Sequence, residues 1–138
     1  MQRIEWAPEM SVGIDIIDED HKRLIDLLNA YIDAVDADEG VFVFDSLFCE
    51  FFDYTGYHFA REEEMMAEAG YPGLEKHRKG HQGIIEQLQE MRRKVMQSAS
   101  AEMQDEVREF LLDWLRVHIM IKDQAYAAAL REHFSEAA

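Results

Sequence analysis

Proline occurs at only two positions, Pro8 and Pro72, and its scarcity constrains the fold of this chain more than any other feature. Proline fixes its own backbone and removes a hydrogen-bond donor, so helix interiors exclude it. The long stretches between residues 18 and 134 are therefore free to be helical. Apolar residues recur along them every three or four positions, the period of an amphipathic helix.

Turn signals divide these stretches into segments. Residues 1–17 are expected to form an N-terminal arm, and Asp18 is placed to cap the first helix. The expected helices span about residues 18–37, 41–69, 74–97 and 101–120, with a C-terminal helical segment at about 122–134. The run Val41-Phe42-Val43-Phe44 could begin a strand, but helix-spaced apolar residues follow it without a turn signal. The chain is thus predicted to be all-α: one domain, residues 1–138, folded as an up-down-up-down four-helix bundle with a short C-terminal helix.

The charge of the chain excludes some classes of partner. Its 29 acidic and 14 basic residues give a formal net charge of -15, and no basic stripe is present. The short run Arg92-Arg93-Lys94 suits the last turn of a helix, where cations are favourable. Neither nucleic acid nor a membrane is an expected partner, and the sequence identifies no protein partner.

The cellular compartment is predicted from the absence of export signals. The single cysteine, Cys49, cannot form an internal disulfide, and the N-terminus lacks the basic and apolar regions of a signal peptide. No apolar run approaches the roughly 18 residues that a membrane span needs. We expect a cytoplasmic protein.

Five of the six histidines fall at helix positions that can face one interior point. Two of the helices carry a pair spaced four residues apart, which places both side chains on one helix face. The set comprises His21 on the first helix, His58 and Glu62 on the second, His77 and His81 on the third, and His118 and Asp123 on the fourth. Helical bundles build metal sites from such inward side chains.

No single pair in this set is specific. Acidic residues are common in the chain, and any one histidine is most simply a surface residue or a hydrogen-bonded core residue. The combination carries the argument, because burying seven polar groups without partners would cost roughly a few kcal/mol each. A metal site removes this cost, whereas a metal-free bundle would bear it.

Two local features interrupt the helical pattern near the candidate ligands. His118 and Asp123 are five residues apart, so both can face inward only if the helix contains a π-bulge or ends early. Gly80 and Gly83 lie beside His81, and we expect them to permit a close helix approach or to relieve crowding.

The order of the seven residues resembles the ligand signature of the hemerythrin family, and in particular its single-domain bacterial members. The resemblance covers nearly the whole chain, including Trp6 and the segment from Val12 to His21. It implies a four-helix bundle around a non-haem di-iron centre that binds O2 reversibly. In that mapping His77, His81 and His118 hold one iron, His21 and His58 hold the other, and Glu62 and Asp123 bridge both, with an oxo or hydroxo oxygen as a further bridge.

Coordination chemistry supports this mapping. Five imidazoles, two bridging carboxylates and one bridging oxygen fill all but one position of two six-coordinate ions. The open position lies on the ion with two histidines, where a diatomic ligand could bind. Zinc or manganese could occupy the same donors, so the residues favour a two-metal site more firmly than iron itself.

The open position should lie in an apolar pocket, because water or an anion would displace O2 and promote oxidation. Five apolar residues occur at helical spacings from the candidate ligands and match pocket positions of the family: Leu24, Phe59, Trp114, Leu115 and Ile119. Each of them could equally be an ordinary core residue.

The leading hypothesis is a protein that is not an enzyme and binds O2 for storage, delivery or sensing, with nitric oxide or small anions as further ligands. The alternative is a di-iron redox enzyme acting on O2, peroxide or nitric oxide. The ligand set is rich in neutral imidazole and leaves few open positions, which favours reversible binding over oxygen activation.

Overall fold

The computed structural model describes residues 3–136, and the side chains of all these residues except 120, 121, 135 and 136. A short 3₁₀ helix, Pro8–Met10, precedes α1 (Asp15–Asp36), α2 (Gly40–Glu68), α3 (Leu74–Gln97) and α4 (Ala101–Val117). A π-helical segment, His118–Lys122, joins α4 to α5 (Asp123–Glu136). Residues 3–136 contain helices and no strand, so the predicted all-α class is confirmed.

The helices form a bundle in which α1 and α3 each pack against both α2 and α4. The connections between consecutive helices are short, so neighbours run antiparallel, as predicted. Ser100 caps α4, because the backbone N–H of Met103 donates to its Oγ at 3.1 Å. Val41 to Phe44 lie in α2, which confirms the helical prediction for that run. No helix within residues 3–136 is both long and apolar enough to span a membrane.

The start of α1 differs from the prediction. The helix begins at Asp15, not near residue 18, and Asp18 lies within its first turns. The carboxylate of Asp18 accepts the backbone N–H of Val12 at 2.9 Å and the hydroxyl of Ser11 at 2.5 Å. The prediction that Asp18 caps α1 was therefore wrong: its side chain secures the preceding arm, and the N-cap position is Ile14.

The explanation offered for the glycines of α3 was also wrong. A Cβ atom at Gly80 or Gly83 would meet no atom within 4 Å. No neighbouring helix approaches closely at either position, and no crowding is relieved there. Both residues weaken the helix without a packing reason.

Apolar core lies on both sides of the candidate ligands. The larger cluster includes Leu28 of α1, Phe48 of α2 and Leu111 of α4. The smaller one contains Met66 of α2 with Tyr126 and Leu130 of α5. On α2, His58 and Glu62 lie between these clusters in sequence, which places the polar residues within the bundle rather than at its end.

Candidate metal centre

The structure brings all seven predicted side chains together inside the bundle. His21, His58, Glu62 and Asp123 are completely buried, His118 and His81 are buried, and His77 retains 12 % of its side-chain exposure. One group of converging donor atoms comes from His21, His58, Glu62, His118 and Asp123, and a second comes from Glu62, His77 and His81. Glu62 belongs to both groups, as a residue between two metal ions would.

The π-helical segment explains how His118 and Asp123 reach the same point. The backbone N–H of Asp123 donates to the carbonyl of His118, five residues earlier, which widens the turn. Their side chains then meet, with His118 Nε2 2.9 Å from Asp123 Oδ2. The prediction of a local break between these residues is confirmed.

The two oxygens of Asp123 face different histidines. Oδ2 lies 2.5 Å from His21 Nε2 and 3.8 Å from His58 Nε2. Oδ1 lies 3.7 Å from His77 Nε2. A carboxylate with its oxygens turned to two sets of imidazoles is suited to bridging two cations.

The carboxylate of Glu62 lies among three imidazoles. Its Oε1 is 3.2 Å from His58 Nε2, 3.3 Å from His81 Nε2 and 3.5 Å from His118 Nε2. Its Oε2 accepts a hydrogen bond from the hydroxyl of Tyr126. Oε1 of Glu62 therefore lies close to histidines of both donor groups.

Unpaired polar atoms show that the residues fit metal ions. Among the described residues, buried side-chain atoms without a hydrogen-bond partner are concentrated here: both ring nitrogens of His21, Nε2 of His77 and His81, Oε1 of Glu62 and both oxygens of Asp123. In addition, Nε2 of His58 lies 3.0 Å from Nε2 of His118, and both residues belong to the same group of converging donors. Metal ions would bind the carboxylate oxygens and one nitrogen of each imidazole, which protein groups here leave without a partner.

The electrostatics of the cluster also favour cations. Burial raises the pKa of Glu62 well above its usual range, and the charge of Asp123 raises it further. Burial alone would raise the pKa of Asp123, but the surrounding histidines, above all His118, hold it well below that range. Burial lowers the pKa values of His81 and His118 to about 4, so both are neutral at pH 7 with a lone pair available.

Sequence reasoning missed two carboxylates that contact Nδ1 of candidate histidine ligands, the ring nitrogen opposite the one that faces the cluster. Asp20 Oδ2 lies 3.0 Å from His58 Nδ1, and Glu63 Oε2 lies 2.9 Å from His81 Nδ1. Carboxylates in this position fix the tautomer of a histidine and direct its other nitrogen toward a metal. Sequence spacing gives no signal for Asp20, because its partner lies on another helix.

Tyr126 is a third residue that was missed. Its buried ring packs edge-on against His77, with centroids 5.0 Å apart, while its hydroxyl holds Glu62. Tyr126 follows Asp123 by three residues on α5, so helical spacing from a candidate ligand is the signal that could have found it.

Two of the five predicted pocket residues stack on histidines of the cluster, and the other three are buried in the core. Phe59 stacks on His81 with centroids 3.8 Å apart and nearly parallel rings, and the half-buried Trp114 stacks on His118 at 5.3 Å. Leu24, Leu115 and Ile119 are buried in the larger core cluster. The role of these residues in a ligand pocket stays a prediction.

Fold and site together define an all-helical protein with a buried histidine and carboxylate cluster able to hold metal ions. Residues 12–130 match the family model described as the hemerythrin HHE cation binding domain. The chain belongs to the hemerythrin family.

Similar proteins support this assignment. The chain is 37 % identical to a bacteriohemerythrin of Stenotrophomonas maltophilia, with 99 % of this chain and 87 % of that protein covered. Against a bacteriohemerythrin of Pseudomonas aeruginosa the identity is 35 % with the same coverage. A crystal structure of a mutant hemerythrin superposes with a TM-score of 0.83 at 24 % identity, covering 94 % of this chain and 98 % of that one, which shows the shared fold.

Membership of this family indicates which metal centre and ligand the site is built for. Hemerythrins bind O2 at a di-iron centre and are not enzymes. The buried cluster of this chain, with its converging nitrogen and oxygen donors, agrees with that chemistry.

Proposed function

We propose that this protein binds O2 reversibly at a di-iron centre held by His21, His58, Glu62, His77, His81, His118 and Asp123, and that it serves oxygen storage, delivery or sensing. The single observation that carries the proposal is the convergence of these seven buried or nearly buried side chains, most of whose inward atoms have no partner within the protein.

The roles of the side chains follow from their contacts. The histidines offer Nε2 lone pairs toward the interior, and Asp123 presents its two oxygens to different histidines. Tyr126 fixes Glu62 through Oε2, which leaves Oε1 facing His58, His81 and His118. When bound, the di-iron centre supplies the electrons and the open coordination position with which O2 combines.

The apolar side chains keep water away from the centre. Phe59 and Trp114 cover the faces of His81 and His118, and the bundle buries Leu24 and Leu115 completely. Water and anions compete with O2 for an open position, so a dry pocket prolongs reversible binding. Nitric oxide, which is also a small uncharged diatomic molecule, would fit the same position, and small anions would compete more weakly because of the apolar lining.

The donor set favours reversible binding over the alternative of a redox enzyme. Five of the seven proposed ligands are imidazoles and only two are carboxylates. Such a set leaves one open position, which accommodates a single diatomic ligand but not a second substrate.

The test is a cycle of optical spectra on the protein purified without oxygen and loaded with ferrous iron. Visible charge-transfer bands should appear with O2 and disappear on degassing, over repeated cycles. His118→Ala should abolish the bands. His133→Ala is the matched control, because His133 lies outside the cluster with 37 % of its side chain exposed, and it should leave the bands unchanged. Bands that decay at once to a stable oxidised form would refute the proposal.

A further inference from the structure

Behind His58 lies a buried carboxylate that the proposed metal centre does not include. Asp20 is only 2 % exposed, and its side chain accepts three hydrogen bonds. Tyr54 donates its hydroxyl to Oδ1 at 2.9 Å, whereas His58 Nδ1 and Arg61 Nε both lie against Oδ2, at 3.0 and 2.8 Å. One oxygen is therefore shared between an imidazole and a guanidinium.

The sharing of Oδ2 has two consequences for His58. When Nδ1–H donates to Asp20, the neutral imidazole carries its lone pair on Nε2, which points to Glu62, His118 and the rest of the cluster. A carboxylate behind an imidazole also increases its electron donation to a metal. The positive charge of Arg61 on the same oxygen opposes that increase.

A carboxylate and an arginine are arranged in the same way beside Nδ1 of His81. The exposure of the two pairs indicates which pair acts more strongly on its histidine. Glu63 contacts His81 Nδ1 at 2.9 Å and accepts from Arg78 Nε at 3.1 Å. Glu63 is 22 % exposed and Arg78 45 %, against 2 % for Asp20 and 21 % for Arg61. Charges act more strongly where less water screens them, so the pair behind His58 has the larger effect.

We propose that Asp20 is a positioning residue that fixes His58 for metal binding and strengthens its electron donation, and that Arg61 limits this strengthening. The inference rests on the proposed function insofar as a metal must bind at His58. It predicts opposite effects from removing the two partners, since one supplies negative charge to the imidazole and the other withdraws it.

The first experiment titrates the metal-free protein with zinc, a redox-inert probe, in competition with a chelator. Asp20→Asn should weaken zinc binding by on the order of 10- to 100-fold, the usual effect of mutating such a partner of a metal ligand, because the amide lacks the negative charge of the carboxylate. Asp20→Glu, which keeps the carboxylate, should recover part of the loss. Tyr54→Phe is the matched control, because it removes a bond to the other oxygen and leaves His58 paired; its effect should be smaller.

The second experiment measures the reduction potential of the iron-loaded protein. Asp20→Asn should raise the potential, because a weaker donor stabilises the oxidised centre less. Arg61→Gln should lower it, because Asp20 then acts on His58 without a competing cation. A merely structural role would not produce shifts of opposite sign.

The outcomes separate this inference from the proposed function. If the wild type binds no metal, the proposed function fails. If the wild type binds two ions and a folded Asp20→Asn variant binds zinc as tightly, only the inference is overturned. Should Asp20→Asn not fold, Arg61→Gln decides, and an unchanged or raised potential overturns the inference.

Discussion

Without metal, the buried ligand residues should lower the free energy of unfolding below that of a variant with an apolar residue in their place. His21 allows the sharpest test. His21 is fully buried in α1, next to the apolar core, and neither of its ring nitrogens makes a hydrogen bond. Its Nε2 approaches Asp123 Oδ2 to 2.5 Å without hydrogen-bond geometry. Replacing His21 by leucine, a side chain of similar volume, removes these unpaired atoms from the interior.

The magnitude follows from the cost of an unpaired buried group, about 1–3 kcal/mol. His21→Leu removes two such atoms. It also removes a nitrogen that helps to hold the pKa of Asp123 down, which opposes the gain, so we count one group and not two. The metal-free variant should be about 1–3 kcal/mol more stable to unfolding than the metal-free wild type. For a chain of this size, that corresponds to a melting temperature about 4–12 °C higher.

The assay is urea denaturation of both proteins after metal removal by a chelator, followed by circular dichroism. Thr55→Val is the matched control, because Thr55 is also fully buried but its hydroxyl donates to the carbonyl of Phe51 at 2.7 Å. That substitution should destabilise the protein by about 1 kcal/mol. A metal-free His21→Leu variant less stable than the metal-free wild type would show that the unpaired nitrogens carry no cost, and would refute the reasoning.

Three further predictions concern the site and its supporting helix. Glu62→Ala removes an oxygen that faces three histidines, so metal analysis should find fewer than two ions per chain. Glu64→Ala, at an exposed position, should retain both ions. Full occupancy in Glu62→Ala would remove Glu62 from the ligand set. Leu115→Ser should admit water beside His118 and speed oxidation of the O2-bound form in air, and an unchanged rate would remove Leu115 from the pocket. Gly80→Ala should raise the free energy of unfolding by about 0.5–1 kcal/mol, because the added Cβ meets nothing within 4 Å; a loss of stability on denaturation would contradict this.

Much of the helical framework was predictable because local signals mark its ends. Turn residues at Gly40 and from Gly70 to Gly73 coincide with the observed breaks to within a residue or two. The five-residue spacing of His118 and Asp123 predicted the π-helical segment, since no regular helix can turn both side chains inward. These inferences needed only the geometry of a single helix.

The residues that sequence reasoning missed depend on contacts between helices. Asp20 and Glu63 lie beside candidate ligands in the sequence, but acidic residues are common in this chain and only the folded bundle shows which ones meet an imidazole nitrogen. Asp18 misled for the same reason: an acid before a helical stripe suggests a cap, whereas its partner is the arm that folds back onto it. Tertiary contacts decided both cases.

The most direct test of the account is the number of iron ions bound per chain in protein purified without oxygen, determined by elemental analysis against the protein concentration. Two donor groups that share Glu62 predict two irons per chain. A value that stays at one or zero after anaerobic loading with ferrous iron would contradict the di-iron centre.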